Sequence, residues 1–481
     1  MKENTLQQKI TSLYESWAGE SVTNILPLTR TASSRNYFRI TSATKKAIGT
    51  YGPDPKENAA FVSFTKSFYQ KGLPVPALYA EDLSENIYIQ EDLGTTTLYR
   101  FLQEDKDGFS ESSIAMYKKV LDGLARMQIE GTKDLDYSVA YPRPDFDRQS
   151  MQWDLNGFKY FFLKLAGITF DEQALEKDFD TLMDFLLSAG REYFMYRDFQ
   201  ARNIMLKDGE PFFIDYQGGR RGALHYDPAS LLFQPKAAIP FAIREELMSY
   251  YLDVIAEMIP VDRETFMDHF YGYVMIRRIQ AFGTYGQRGL HERRAYFINS
   301  LPLALQDIKW VLDNKELPIE LPELLRVLRI AIEDPRFQPE GTQADNKFLT
   351  VRVNSFSYKF SHPEDPSGNG GGFVFDCRFI NNPGRYEPCK RLTGRDEPVI
   401  KFLKENSNMA DYLISVYHIV DEAVENYIER KFTNLMVSFG CTGGQQCSVY
   451  AADMLAAHLE QKYGVNVELT HIRQEEKNWI N

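Results

Sequence analysis

The sequence predicts a two-lobed α+β domain followed by a smaller α/β domain, and three observations carry that reading. Short strand-like stretches dominate up to about residue 93 and then give way to long helical periodicity. "PRFQPEGTQADNK", residues 335 to 347, holds prolines, a glycine and polar residues without apolar periodicity, which marks a linker. Beyond it, apolar strand-like runs alternate with long helical patterns, as a sheet covered by helices requires.

The elements follow in order. In "MKENTLQQKITSLYESWAG", Leu6, Ile10, Leu13 and Trp17 recur at helical spacing, so the start reads as an amphipathic helix rather than a secretion signal. "NYFRITS" and "KKAIGTY" read as paired strands, "KENAAFVSFTKSFYQKG" as a helix, and "LYAED" and "NIYIQEDLG" as further strands. These make a small lobe, 1–93. "ESSIAMYKKVLDGLARMQI" and "REELMSYYLDVIAEMI" typify the helical lobe, 94–335, with 336–347 as linker. In 348–481, strands are expected in "LTVRVNSFSYKF", "GFVFDCRF", "NLMVSFG" and "VNVELTH", one long helix from about 398 to 431, and another in "SVYAADMLAAHLEQKYG".

At 481 residues the chain exceeds one compact core. A formal net charge of -12 argues against non-specific attraction to nucleic acid or anionic membrane. No uncharged apolar run approaches the ~20 residues of a membrane span, so a cytoplasmic protein is expected. Cys377, Cys389, Cys441 and Cys447 do not show paired CxxC spacing, and reduced buried thiols are the expected state.

"YRDFQARNIMLKDGEPFFIDYQ", residues 196 to 217, carries the chemistry. Asp198 and Asn203 precede a strand, a "KDGE" turn and a returning strand that ends at Asp215, so the hairpin carries Asp215 back towards Asn203. Phosphoryl transfer from ATP needs a carboxylate to orient the acceptor hydroxyl and take its proton, and oxygen ligands to hold Mg²⁺ across the phosphates. Asp198 fits the first role; Asn203 and Asp215 fit the second. A β-rich lobe ahead of a helical one, with these groups between, is a protein-kinase-like plan. Asp227, ahead of an apolar helix start, is expected to brace the loop or cap backbone N–H groups.

Residues 1 to about 335 resemble the aminoglycoside phosphotransferase/choline kinase superfamily. "TASSRNYFRI", "GLPVPALYAEDL", "IYIQEDLGTTTLYRFL", "YRDFQARNIML" and "IDYQGGRRGALHYDPASLL" are similar to anomeric kinases of N-acetylmuramic acid and N-acetylglucosamine. The resemblance implies a kinase that phosphorylates a C1 hydroxyl in cell-wall sugar (peptidoglycan) recycling, with Asp198 as base and Asn203 and Asp215 as Mg²⁺ ligands. It further implies Ser33, Ser34 and Arg35 over the ATP phosphates, and Glu57 and Glu91 at the nucleotide site. The strand "AIGTY" lacks the expected ATP-pairing lysine. Lys46 or Lys56 stands in for it, with Glu57 as partner, or these are solvated surface charges.

"LMVSFGCTGGQQCSVYAADML" is a strand, a glycine-containing loop and a helix, a form that presents N–H groups to an anion. Cys441, Thr442, Gly443, Gly444 and Gln445 make the candidate anion loop; a tight turn that uses glycine only to bend is the plain alternative. Residues about 348 to 475 resemble the C-terminal domain of the RNase adapter RapZ through "VNSFSYKF", "FVFDCRFINNPGRY", "LTGRDEPV" and "GCTGGQQCSV". That resemblance implies a sugar phosphate or nucleotide sugar as ligand and RNA as a partner. Gln446 and Cys447 stand where the family has His and Arg, which removes a bidentate phosphate contact and leaves Arg378, Arg385 and Arg395 to supply charge. Near-neutral charge weighs against RNA, since only Arg385, Lys390, Arg391 and Arg395 cluster.

Taken together, the expected activity is ATP- and Mg²⁺-dependent phosphorylation of an amino sugar, coupled to a sensing domain. A phosphotransferase for an aminoglycoside or choline, and a non-catalytic nucleotide- and RNA-binding adapter, are the alternatives.

Overall fold

The computed structural model describes residues 3–28, 35–105, 108–292, 295–298, 300–337, 348–360, 362–368 and 370–476. The chain divides into two units, Met1–Gln338 and Pro339–Asn481. The first is a two-lobed α+β unit of protein-kinase-like architecture, and the second is a smaller α/β unit. Residues 338–347 of the expected linker lie outside the described residues; its beginning is part of a 3₁₀ turn, Pro335–Phe337, whose Phe337 is buried against Phe162.

In the small lobe, strands β1 (Asn24–Pro27), β2 (Asn36–Thr41), β3 (Lys46–Tyr51), β4 (Leu78–Asp82) and β5 (Ile87–Gln90) form an antiparallel sheet in the order β1-β2-β3-β5-β4. The four-residue, largely exposed β1 is the strand that periodicity does not reveal. Helix α1 (Glu3–Ala18) lays Ile10 and Tyr14 on Phe38, Ile40 and Ile89 of this sheet. Each such side chain contributes about 1.5–3 kcal/mol by leaving water. Gly49 in β3 lets the helix approach: a Cβ there would lie 2.4 Å from Ile10 Cγ2. Helix α2 (Pro55–Gln70) packs on the other side, started by Asp54, whose Oδ1 accepts the N–H of Lys56 at 2.8 Å.

The helical lobe holds the largest core, which runs from Phe61 and Phe64 of α2 through Tyr117 and Leu121 to Tyr273 and Ile276. Two short antiparallel sheets sit on it: β6 (Tyr193–Met195) with β9 (Arg220–Gly222), and the hairpin of β7 (Ile204–Lys207) with β8 (Glu210–Phe213). No described helix is long and apolar enough to cross a membrane.

The second unit has four parallel strands, β10 (Thr350–Ser357), β11 (Phe373–Asp376), β12 (Asn434–Cys441) and β13 (Asn466–His471), in the order β11-β12-β10-β13. The single helix expected from 398 to 431 is instead two, Glu397–Glu405 and Met409–Glu429. Ser407 makes the break: its hydroxyl donates to the Leu403 carbonyl at 2.6 Å and accepts the Met409 N–H at 3.2 Å.

Candidate active site

The "KDGE" segment forms the tight turn between β7 and β8, with Asp208 and Gly209 both at positive φ, 54° and 78°. That is the two-residue geometry an Asp-Gly pair favours. Pairing Ile204 with Phe213 brings the ends of the hairpin together, and the Ile214 N–H donates to the Asn203 carbonyl at 3.0 Å. Asn203 Nδ2 in turn donates to the Asp198 carbonyl at 2.9 Å, which leaves Oδ1 as the amide's acceptor atom. Gln217 Nε2 donates to Asp215 Oδ1 at 2.7 Å, while Gln217 Oε1 is buried without a hydrogen-bond partner. Asn203 Oδ1 and the Asp215 carboxylate, on residues that line one cavity, are oxygen donors of the kind a hard divalent cation takes.

Asp227 is fully buried. Its carboxylate accepts the Tyr196 N–H at 2.8 Å, the Arg197 N–H at 3.0 Å and Gln128 Nε2 at 3.1 Å, so it holds the two residues ahead of Asp198. Burial pushes its pKa up to about 7, against the lowering effect of these donors. Arg197 and Asp215 both have positive φ, 82° and 71°. For an arginine this is strained backbone, kept where surrounding bonds over-determine it. Arg197 Nη2 donates to both carboxylate oxygens of Asp154, at 2.7 and 2.8 Å, and its Nη1 donates to the Tyr226 hydroxyl at 2.7 Å.

A cavity of about 380 Å³ lies between the lobes, lined by Arg35, Ile48, Tyr88, Glu91, Asn203 and Asp215 among others. Strand β3 offers it no cation. Arg35, immediately before β2, does: it is 2% exposed and its Nη2 lies 3.3 Å from Glu57 Oε2. Burial acts against its charge, and Tyr88, Tyr37, Glu57 and Asp215 outweigh it to raise its pKa. Lys56 does not reach the cavity. It is exposed, with Nζ 5.7 Å from the Tyr141 ring centroid, and Lys46 is exposed at the start of β3. Glu91 lines the cavity with its carboxylate held by Lys207 Nζ at 2.5 Å and by the Ala77 N–H at 3.1 Å. Ser33 and Ser34 lie outside the described residues.

Two residues beside Asp198 went unremarked in the sequence. Arg277, on helix Arg263–Tyr285, places Nη2 3.8 Å from Asp198 Oδ1, and Arg220 lies on β9 opposite Met195. Both are about 95% buried. Their signal is an arginine inside an apolar run, "YVMIRRIQAF", and an arginine directly after "GG".

In the second unit, Cys441 to Gln445 turn between β12 and helix Cys447–Tyr463. Cys441 Sγ accepts the Gly444 N–H at 3.1 Å, and Gly444 has φ 65°. Gln445 and Gln446 spend their side-chain amides on the Leu392 carbonyl, at 3.0 and 3.1 Å. A pocket of about 610 Å³ beside the loop is lined by Thr442, Gly443, Arg378, Arg385 and Lys390 among others. Arg378 pairs with Asp376, Lys390 with Glu387 and Arg395 with Asp453, which consumes much of the local positive charge. Burial pushes the Cys447 thiol up to about 12, so it is not a nucleophile at neutral pH.

Residues 24–260 match the model of the phosphotransferase enzyme family, and residues 349–475 match that of the RapZ C-terminal domain. A "nucleotide-binding protein" of Thermosipho africanus is 37% identical over 122 residues, 25% of this chain and 42% of that protein. Another, of Fervidobacterium nodosum, is 30% identical over 193 residues, 38% of this chain and 64% of that protein. Across these and six further relatives, the chain spans 39% to 64% of their length. Among solved structures, an amicoumacin kinase in complex with AMP-PNP and Ca²⁺ has a TM-score of 0.47 at 15% identity, covering 67% of this chain and 97% of that one. Choline kinase from Cryptosporidium parvum has a TM-score of 0.45 at 13% identity, covering 68% and 100%.

Proposed function

Since this chain joins a phosphotransferase-family domain to a RapZ C-terminal domain, we propose that it transfers the γ-phosphoryl group of ATP to the C1 hydroxyl of an amino sugar. N-acetylglucosamine and N-acetylmuramic acid are the acceptors we favour. The observation that carries this reading is the convergence of Asn203, Asp215 and Arg35 on one cavity, with Asp198 tied to Asn203 at its edge. Asp198 orients the acceptor hydroxyl and takes its proton. Asn203 and Asp215 would hold Mg²⁺, which neutralises charge on the phosphates when bound. Arg35, fixed by Glu57, meets the phosphates in place of a strand lysine, with Ser33 and Ser34 over them and Glu91 at the nucleotide end. Asp227 sets the loop. Lys56 has no part in this assignment, because its ammonium is turned to Tyr141.

The second unit serves as a sensor for a sugar phosphate or nucleotide sugar. The pocket beside Thr442 and Gly443, with Arg378, Arg385 and Lys390 on its wall, supports an anionic ligand. RNA is not favoured, since Lys390 and Arg395 of the exposed cluster are already in ion pairs.

The test is ADP release by the full chain against a panel of free amino sugars, choline and an aminoglycoside, with Asp198→Asn as control. Turnover with an amino sugar that is lost in the variant is expected. Turnover confined to choline or the aminoglycoside assigns a different acceptor.

A further inference from the structure

The segment "IDYQGG", residues 214 to 219, turns back sharply between the end of β8 and the start of β9. The Gly219 N–H donates to the Tyr216 carbonyl at 2.9 Å, which closes a turn with Gln217 and Gly218 at its centre. Both ends of that turn are fixed. Tyr216 is fully buried, with its hydroxyl 2.6 Å from Thr65 Oγ1 and its ring stacked on Phe61 at 5.2 Å. Gly219 lies so close to Phe194 that a Cβ there would come within 2.3 Å of Cζ. A side chain carried on such a turn starts from a set backbone position.

Gln217 applies that position to Asp215. Its Nε2 donates to Asp215 Oδ1 at 2.7 Å, a short bond of the charge-assisted kind, while Asp215 Oδ2 accepts no hydrogen bond among the described residues. The carboxylate decides which way the amide faces, because a reversed amide would set one acceptor against another. As a result Oε1 is buried without a partner. A buried unpaired acceptor destabilises a fold, so stability alone does not account for this amide. Asp215 lines the cavity between the lobes and Gln217 does not, which puts the amide behind the carboxylate rather than among the groups a ligand touches. The backbone at Asp215 is itself left-handed, with φ 71°, so the direction of its side chain depends on such outside support.

We propose that Gln217 is a positioning residue for the divalent cation: by holding one oxygen of Asp215 it orients the carboxylate in advance and leaves the second oxygen for the metal. This rests on the assignment of Asp215 as a cation ligand. Without the amide the carboxylate is free to turn about its last side-chain torsion, and metal binding has to arrest that motion. Outer partners that orient a metal-binding group are worth about 10–100-fold in metal affinity.

The test is calorimetry of a non-hydrolysable ATP analogue binding to the full chain, with Mn²⁺ and without metal, for wild type, Asp215→Asn and Gln217→Met. Methionine keeps the length of glutamine and removes the donor; Gln217→Leu is a second variant expected to behave alike, and thermal melts establish that each is folded. The quantity read is the gain in analogue affinity that Mn²⁺ brings. A gain of about ten-fold or more is expected in wild type, and its loss by about that factor in Asp215→Asn and in both Gln217 variants, whose metal-free Kd stays within about two-fold of wild type. A gain lost in Asp215→Asn but kept in the Gln217 variants overturns the positioning role and leaves the cation site standing. A gain absent from wild type, or kept in Asp215→Asn, refutes the cation site at Asp215 and the proposal with it. A metal-free Kd that weakens as much as the Mn²⁺-bound one assigns Gln217 to the fold or to the nucleotide, and also overturns the proposal.

Discussion

Asp227→Asn is expected to change the pH dependence of stability as much as its size. The wild-type carboxyl is fully buried, and burial raises its pKa from an ordinary 3.8 to about 7. A raised acid binds its proton more tightly in the folded than in the unfolded chain, so stability falls as pH rises between these two values. The penalty begins above about pH 4 and is complete above about pH 7, reaching about 4 kcal/mol in all, of which about 2–3 kcal/mol accrues between pH 5 and 8. Asparagine has no such titration. It keeps the shape but turns an N–H₂ towards one of the three donors that Asp227 accepts, the N–H groups of Tyr196 and Arg197 and the Gln128 amide. Losing that bond costs about 1–3 kcal/mol. The variant should therefore be less stable than wild type at pH 5 and level with it or more stable at pH 8. Urea unfolding followed by tryptophan fluorescence suits the measurement, because Trp17, Trp153 and Trp310 all lie in the first unit. A stability difference that stays the same from pH 5 to pH 8 refutes the buried, proton-linked carboxyl.

Asp198→Asn should lower kcat by at least about 100-fold, the range of a lost general base, while calorimetry finds ATP binding within two-fold of wild type. Arg35→Ala should raise the KM for ATP about ten-fold or more, whereas Lys56→Ala should leave it unchanged; steady-state kinetics at saturating acceptor reads both. Glu57→Gln frees Arg35 from its ion partner at 3.3 Å and should show a weaker version of the Arg35 defect in the same assay. Cys377 and Cys447, buried and with thiols pushed up, should resist a water-soluble thiol reagent in the folded chain and react on unfolding, as titration before and after denaturant would show.

The local parts of the site were legible in the sequence and the tertiary parts were not. Asp208 and Gly209 announce their turn by residue type alone, and the hairpin spacing then brings Asp215 to Asn203 whatever surrounds it. The β-rich start, the helical lobe and the alternation of strands and helices in the second unit were likewise written in periodicity, whereas the parallel pairing came only with the structure. Arg35 reaching Glu57 depends instead on how the start of β2 meets α2, a contact between residues 22 apart that no local pattern encodes. Lys56 misleads for the same reason: Asp54 caps the helix and turns the next residues, so the charge of Lys56 says nothing about its direction. Arg277 reaches Asp198 only from a helix far along the chain, and Arg220 faces Met195 only through the pairing of β9 with β6, so no local pattern places either. The helix break at Ser407 escaped because serine fits either a helix or a cap until its hydroxyl finds a partner.

The most direct measurement is NMR of the product formed by the full chain from ATP, Mg²⁺ and N-acetylmuramic acid or N-acetylglucosamine. A phosphorus resonance coupled to the anomeric proton, absent with Asp198→Asn, is the expected result. Phosphate on another hydroxyl, or no product from either sugar while choline or an aminoglycoside is phosphorylated, contradicts the assignment of this chain as an amino-sugar 1-kinase.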